Sequence, residues 1–216
     1  MCIRDSRNGH ARLATPLGVA SPRTGKSTQI NDGIRFLLTE AGVDVGNYEG
    51  GAVGARDAIV AAKRAPDNRY GLDYSALTDS QILDDWNYFI YPNMTLNTHP
   101  EGVSVMRFLP HPTDPERFLY HVHVIVPKLK DGVTAPFYMG VDPSTDISGK
   151  TRPPREVTSM ENPNMGEVFE QDISNMVAVQ KGLHSKGFVD GNRYAEREVR
   201  CQVFHAETDL YLKGNK

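Results

Sequence analysis

Between Asn164 and Phe188 the chain reads NMGEVFEQDISNMVAVQKGLHSKGF, and Met165, Val168, Phe169, Ile173, Met176, Val177 and Leu183 recur there at helical spacing. Such a stripe is one face of a long helix turned toward a core, so the rest of the chain must supply a surface to receive it. Asp172 falls inside the stripe, one turn after Val168 and Phe169 and one turn before Met176, which predicts a carboxylate projecting between apolar neighbours. Held there alone it would lose on the order of several kcal/mol of hydration, so it should be protonated, paired or bound to a cation. The same residues also suit a plainer reading. Glu167, Glu170 and Asp172 fall in the first turns and Lys181, His184 and Lys186 near the end, which is ordinary complementation of the helix dipole. A buried ion pair, helix-start placement and a metal ligand all remain open on the pattern alone.

The remainder of the chain has the means to build that surface. With 216 residues, 39% hydrophobic and 24% charged, it is long enough for a substantial core and ordinary for a soluble globular domain. A formal charge of −3 argues against a nonspecific nucleic-acid grip, which needs clustered positive charge. No apolar run approaches the length needed to span a bilayer, and no signal-peptide pattern is present. The two cysteines, Cys2 and Cys201, suit a reducing compartment, and a cytoplasmic location is expected.

The order of elements predicts an α+β fold. Ala11 to Val19 suits a strand ended by Ser21-Pro22, Gln29 to Ala41 a helix stopped at Gly42, and Ala55 to Arg64 a second helix. Thr78-Asp-Ser-Gln81 has the form of a capping box, giving a short helix through Asp84. Three β-rich runs follow, Trp86 to Thr98, Val103 to Leu109 and Arg117 to Val126, separated by turn signals and expected to pair as an antiparallel meander. Residues 128 to 163, rich in proline and glycine, read as a long mobile loop. A final helix over Arg193 to Leu212, with Val199, Val203, Ala206 and Leu210 as its stripe, reads as packing.

Several stretches carry a family resemblance. Glu167 to Phe188 with Asp172 and Asn175, the run Asp85-Trp86-Asn-Tyr88 through Pro92-Asn93 to Asn97, the following Glu101-Gly102-Val103, Arg107-Phe108 and Pro110 to Glu116, and Pro16-Leu-Gly18 with Ser21-Pro22-Arg23 occur in one order. Together they resemble the catalytic domain of the alpha (large) subunit of Rieske non-haem iron aromatic-ring-hydroxylating oxygenases. The resemblance implies a helix-grip (Bet v 1-like) fold, a curved antiparallel sheet around a long C-terminal helix with substrate held between them. It also implies a mononuclear Fe(II) bound by two histidines and a carboxylate, with Asp172 in the carboxylate's place. Val168, Phe169 and Met176, one turn to either side, are the expected pocket wall, with plain core packing as the alternative.

The upstream motif that carries the family's two histidines is not found among the seven of this chain, and the Cys-x-His and Cys-x-x-His pairs of a 2Fe-2S Rieske domain are not found either. The expectation is therefore a C-terminal part of a longer subunit, residues 7–216, whose missing N-terminal region carries the cluster and both histidine ligands. Met1 to Ser6 resemble read-through of a sequencing adapter and are left out of the expected fold. The partners implied by the resemblance are O2, an aromatic or other apolar small molecule, and a reductase drawing on NADH or NADPH, in some members through a ferredoxin. The implied assembly is a homotrimer, in some members with a beta subunit, and the chain by itself is expected to be inactive.

Three other features carry weaker signals. Gly18 to Ser27 has glycines and a Gly-Lys-Ser end but lacks the spacing of a phosphate-binding loop, and Pro22 removes an amide donor. His121 and His123 would share a strand face as in a cupin-like metal site, and otherwise read as sheet-surface residues. Trp86, Tyr88 and Tyr91 could line a ligand site but read first as core. The competing function class is a noncatalytic helix-grip module that binds an apolar small molecule, with Asp172 ion-paired.

Overall fold

The structure, a computed structural model, describes residues 4–19, 29–188, 194–195 and 198–216. The Ser21-Pro22-Arg23 turn, most of Gly18 to Ser27 and the expected start of the last helix at Arg193 lie outside the described residues. Six strands, β1 (Arg4–Arg7), β2 (His10–Thr15), β3 (Asp85–Ile90), β4 (Met94–His99), β5 (Gly102–Pro110) and β6 (Phe118–Ile125), form one sheet in the order of the sequence. Every neighbouring pair is antiparallel, as the meander predicts. Residues Arg4–Arg7 pair with β2 through an Asn8-Gly9 turn with both φ values positive (49° and 76°), the conformation a tight hairpin requires. One expectation is corrected. The single run Trp86 to Thr98 is two strands, because Tyr91-Pro92-Asn93 turns the chain and Asn93 Nδ2 donates to the Phe108 carbonyl at 2.9 Å.

Strand alternation and the observed register sort the sheet into two faces. One carries Asn87, Phe89, Asn97, Met106, Phe108 and Tyr120; the other carries Trp86, Tyr88, Leu96, Arg107, His121 and His123. The first face receives helix α5 (Val199–Leu212), with the Phe204 and Phe89 rings 5.6 Å apart and Arg200 Nη1 donating to Asn87 Oδ1 at 3.1 Å. The α5 stripe is rotated from the expected one. Ala206 is exposed and Leu210 is 36% exposed, whereas Phe204, Glu207 and Thr208 turn inward, because aromatic contacts with Phe89 and Tyr91 fix the helix. Helix α4 (Glu167–Leu183) brings the Asp172 charge within reach of Tyr120 on that face. The molecule is α+β with the helix-grip arrangement.

At one end of the sheet, helices α1 (Asp32–Glu40), α2 (Gly51–Arg64) and α3 (Asp79–Leu83) build the principal apolar cluster from Ile34, Leu38, Ala55, Ile59, Ile82 and Leu83. Asn31 caps α1 by accepting the Ile34 N–H at 2.8 Å, and the expected capping box of Thr78 and Gln81 opens α3. Helix α2 begins four residues before the expected Ala55, since burial of Ala52 extends its packed face and outweighs Gly51 and Gly54 in its first turn. Arg56 and Asp84 make a two-pronged pair whose outer contact is 3.1 Å, while Asp84 accepts the Leu17 N–H at 3.2 Å and Arg56 donates to the Leu17 carbonyl at 3.0 Å. Pro16-Leu-Gly18 is thereby pinned to the helices. Gly18 has φ +66°, and a Cβ there would press on Leu83 at 3.2 Å. The connection over 128–163 is not loose throughout, because Leu129, Ala135 and Met139 are buried and a 3-10 turn forms at Phe137–Met139.

Candidate functional site

Helix α4 carries the residues singled out in the sequence, and its orientation corrects one premise. Phe169 and Ile173 are its buried residues, at 3% and 1% exposure, with Met176 and Gln180 half-buried below them. Asp172 is exposed, as are Val177 and Leu183, and Val168 is 36% exposed. At 3.6 residues per turn Asp172 sits roughly 60° around the helix from Phe169 and about 100° from Ile173, at the border of the packed face instead of within it. The wide apolar stripe of the sequence concealed which part of it was turned inward. Asp172 has no hydrogen-bond or ion-pair partner among the described residues, so burial does not oblige it to bind a cation and no base satisfies it.

Both ends of α4 are tied down. At its start Phe169 packs on Gly140 (φ +65°), where a Cβ would collide with the Phe169 ring. Near its end Gln180 Nε2 donates to Glu116 Oε2 at 2.7 Å and His184 Nε2 lies 2.8 Å from the same oxygen. Those two contacts hold the Glu116 carboxyl below its usual range.

Between these ties Asp172 lies near enough to Tyr120 of β6 for its charge to act on the hydroxyl. Burial, and secondarily the Asp172 charge, push the Tyr120 hydroxyl up to about 12. That hydroxyl is shielded from solvent and has no hydrogen-bond partner among the described residues. Phe108 stacks beside the Tyr120 ring, centroids 4.9 Å apart. Farther along the same face Asn87 Nδ2 donates to Asn97 Oδ1, and at the sheet end His99 Nε2 lies 3.4 Å from Asp85 Oδ1 with its ring 4.8 Å from that of Tyr138.

A second polar centre went unpredicted. Glu101, in the turn between β4 and β5, is fully buried; its Oε1 meets Lys63 Nζ at 2.8 Å and the Tyr74 hydroxyl at 2.6 Å, and its Oε2 accepts the Tyr138 hydroxyl at 2.9 Å. Burial works to raise its pKa, but the Lys63 charge and the hydrogen bonds outweigh it and the carboxyl lies below its ordinary value. Tyr74 and Tyr138 are pushed up, first by burial and then by the Glu101 charge. This network joins α2, the sheet and the turn that carries Gly140, and so fixes the seat of α4. Glu101 stood in a turn motif and Lys63 in an alanine-rich helix, so the only signal was a pair of charges at positions that packing would bury.

Residues 38–214 match the family model for the ring-hydroxylating alpha subunit, catalytic domain. The chain belongs to the ring-hydroxylating alpha-subunit family. No curated protein and no solved structure matches it.

In a ring-hydroxylating alpha subunit the carboxylate position asks for an acid free of competing cations, and Asp172 meets that requirement. The donor set is incomplete within the described residues, which contain no group of three His, Cys, Asp or Glu side chains able to hold a metal ion. Asp172, with no cation paired to it among the described residues, is chemically able to serve as a metal ligand, and the described residues do not by themselves complete a metal site. The cupin-like alternative has no footing among them, since His121 and His123 lie on the face opposite Tyr120. Burial, the Arg155 charge and the His123 and Arg107 charges push His121 down, and its near polar neighbour is Arg155 at 3.2 Å. Of the expected pocket residues, Phe169 closes on Gly140, while Met176 and Val168 flank the Asp172 side of the helix. Trp86 and Tyr88 lie on the face away from Tyr120, with Trp86 Nε1 donating to the Ser80 carbonyl at 3.1 Å. Among the described residues no helix is long and apolar enough to cross a membrane.

Proposed function

We propose that this chain is the catalytic-domain part of a terminal oxygenase that hydroxylates an aromatic or other apolar small molecule, with Asp172 as the carboxylate ligand of a mononuclear Fe(II). The observation that carries the reading is a carboxylate on α4 with no ion-pair partner among the described residues, its charge reaching Tyr120 on the aromatic side of the sheet, in a chain of the ring-hydroxylating alpha-subunit family. The two histidine ligands and the 2Fe-2S Rieske cluster are proposed to come from sequence upstream of these residues, and Met1 to Ser6 to be non-native. When bound, the iron supplies oxygen activation, driven by electrons from NADH or NADPH through a reductase and, in some members, a ferredoxin.

The chain's own residues have simpler tasks in this proposal. Asp172 holds a negative donor at a fixed height on α4, and the ties at Gly140 and Glu116 keep that height constant. Phe108, Met106 and the Tyr120 ring give the facing wall an apolar character, with Val168, Phe169 and Met176 proposed as the helix side of the pocket. A cytoplasmic homotrimer, with or without a beta subunit, is the proposed assembly.

The test is the complete subunit with its reductase, assayed for oxygen uptake coupled to formation of a hydroxylated product. Asp172→Ala is expected to abolish coupled turnover, and the 216-residue chain alone, given the same reductase, to show none. Coupled turnover by either would contradict the reading. The noncatalytic alternative of an ion-paired Asp172 lacks its required partner among the described residues.

A further inference from the structure

The Tyr120 hydroxyl is the feature the proposed function leaves unexplained. It is the one tyrosine hydroxyl recorded as both shielded from solvent and without a partner among the described residues, whereas those of Tyr70, Tyr74 and Tyr138 are all paired. A buried hydroxyl left without a partner is costly, so a phenol kept at such a place calls for a use. A tyrosine phenol ordinarily ionises near pH 10, so at neutral pH this group is a hydrogen-bond donor.

Its surroundings say what would use that donor. On the same face Phe108 stacks on the Tyr120 ring at 4.9 Å, the Phe118 ring lies 6.2 Å from Phe108, and Met106 sits opposite Val122 on the paired strands. Around the Tyr120 hydroxyl this part of the face is apolar, its amides Asn87 and Asn97 lying farther along and bonded to each other. The Asp172 charge reaches the same hydroxyl, on the side where the proposed function places the reaction. Sites for small molecules have this make-up, mostly hydrophobic lining with a few placed polar groups that fix orientation.

We infer that the Tyr120 hydroxyl anchors the bound small molecule by donating a hydrogen bond to an oxygen acceptor on it, so that the preferred ligand class is an aromatic compound bearing a carbonyl or ether oxygen rather than a bare hydrocarbon. The inference rests on the proposed function for the location of the ligand, but the anchor itself needs neither iron nor turnover. A site that bonds a polar group on its ligand discriminates against an analogue lacking it, because the protein group is then left unpaired.

The experiment uses the complete subunit and two probes with one skeleton, 1-indanone, which has a carbonyl, and indane, which lacks it. Binding is measured by titration calorimetry, and the 1-indanone carbonyl stretch by infrared difference spectroscopy, in the wild type and in Tyr120→Phe. The expected result is that the variant binds 1-indanone about 5- to 10-fold more weakly, the scale of one neutral hydrogen bond. Indane affinity is expected to stay the same, and the carbonyl stretch to lie at higher frequency in the variant than in the wild type. Equal effects on both probes, an unchanged carbonyl stretch, or no binding of either probe by the wild type would overturn the inference. An iron affinity lowered in Tyr120→Phe with no difference between the probes would also overturn it, assigning the hydroxyl to Asp172 instead. If the carbonyl signature behaves as expected while the wild type turns over nothing, the anchor stands and the oxygenase reading fails.

Discussion

Glu101 is buried because three partners share its two oxygens, and this makes it the residue whose loss should be felt most. Removing the charge leaves Lys63, itself 6% exposed, without its counter-ion, a change that costs about 3–5 kcal/mol in buried pairs. Glu101→Gln is therefore expected to lower the urea midpoint strongly at pH 7, and a midpoint within error of the wild type would refute the network's structural role. The pH dependence follows from the direction of the shift. Glu101 and Asp84 both lie below their ordinary values, so the unfolded chain binds protons first; their contribution is present above about pH 4 and is lost as pH falls through the lowered folded values. Wild-type stability should fall in that acid range, and less steeply in Glu101→Gln. None of this was legible from the sequence. Lys63, Tyr74, Glu101 and Tyr138 come from four separate segments, and a charge announces its burial only when its partners are known. Asp172 shows the converse: its place on a helix was legible, but its exposure was not.

Among the elements, those with local causes were the ones that could be read. The capping box at Thr78, the helix closed by Gly42 and the strand pattern of β5 and β6 each depend on a few adjacent residues, and each appears as expected. Elements fixed by distant contacts were misread. Helix α5 turns on Phe204 against Phe89, β3 and β4 divide at a turn hidden in a continuous β-rich run, and α4 is set by Gly140 and Glu116. The seat of α4 can be tested with two glycines of like backbone. Gly140 (φ +65°) lies under the Phe169 ring, while a Cβ on Gly132 (φ +80°) would meet open space. Gly132→Ala should cost about 1–2 kcal/mol for the left-handed backbone alone. Gly140→Ala should cost about 1–3 kcal/mol more from overpacking, and it should lower oxygenation in the complete subunit by displacing Asp172. Equal urea midpoints for the two variants would show that the Phe169 contact does not hold the helix.

For the molecule as a whole, the architecture and the family were legible because they rest on order: strands in a meander, a long helix late in the chain, and motifs in a fixed succession. Burial does not compel Asp172 to take a cation, because an exposed carboxylate can remain hydrated without any partner. The role proposed for it rests on family membership, on its lack of a paired base among the described residues and on the reach of its charge to Tyr120. The direct measurement is iron content. In the complete subunit, metal analysis of Asp172→Ala should show loss of the mononuclear iron while the visible absorbance of the Rieske cluster is unchanged. Retention of that iron at the wild-type level, with the cluster spectrum intact, would contradict the account.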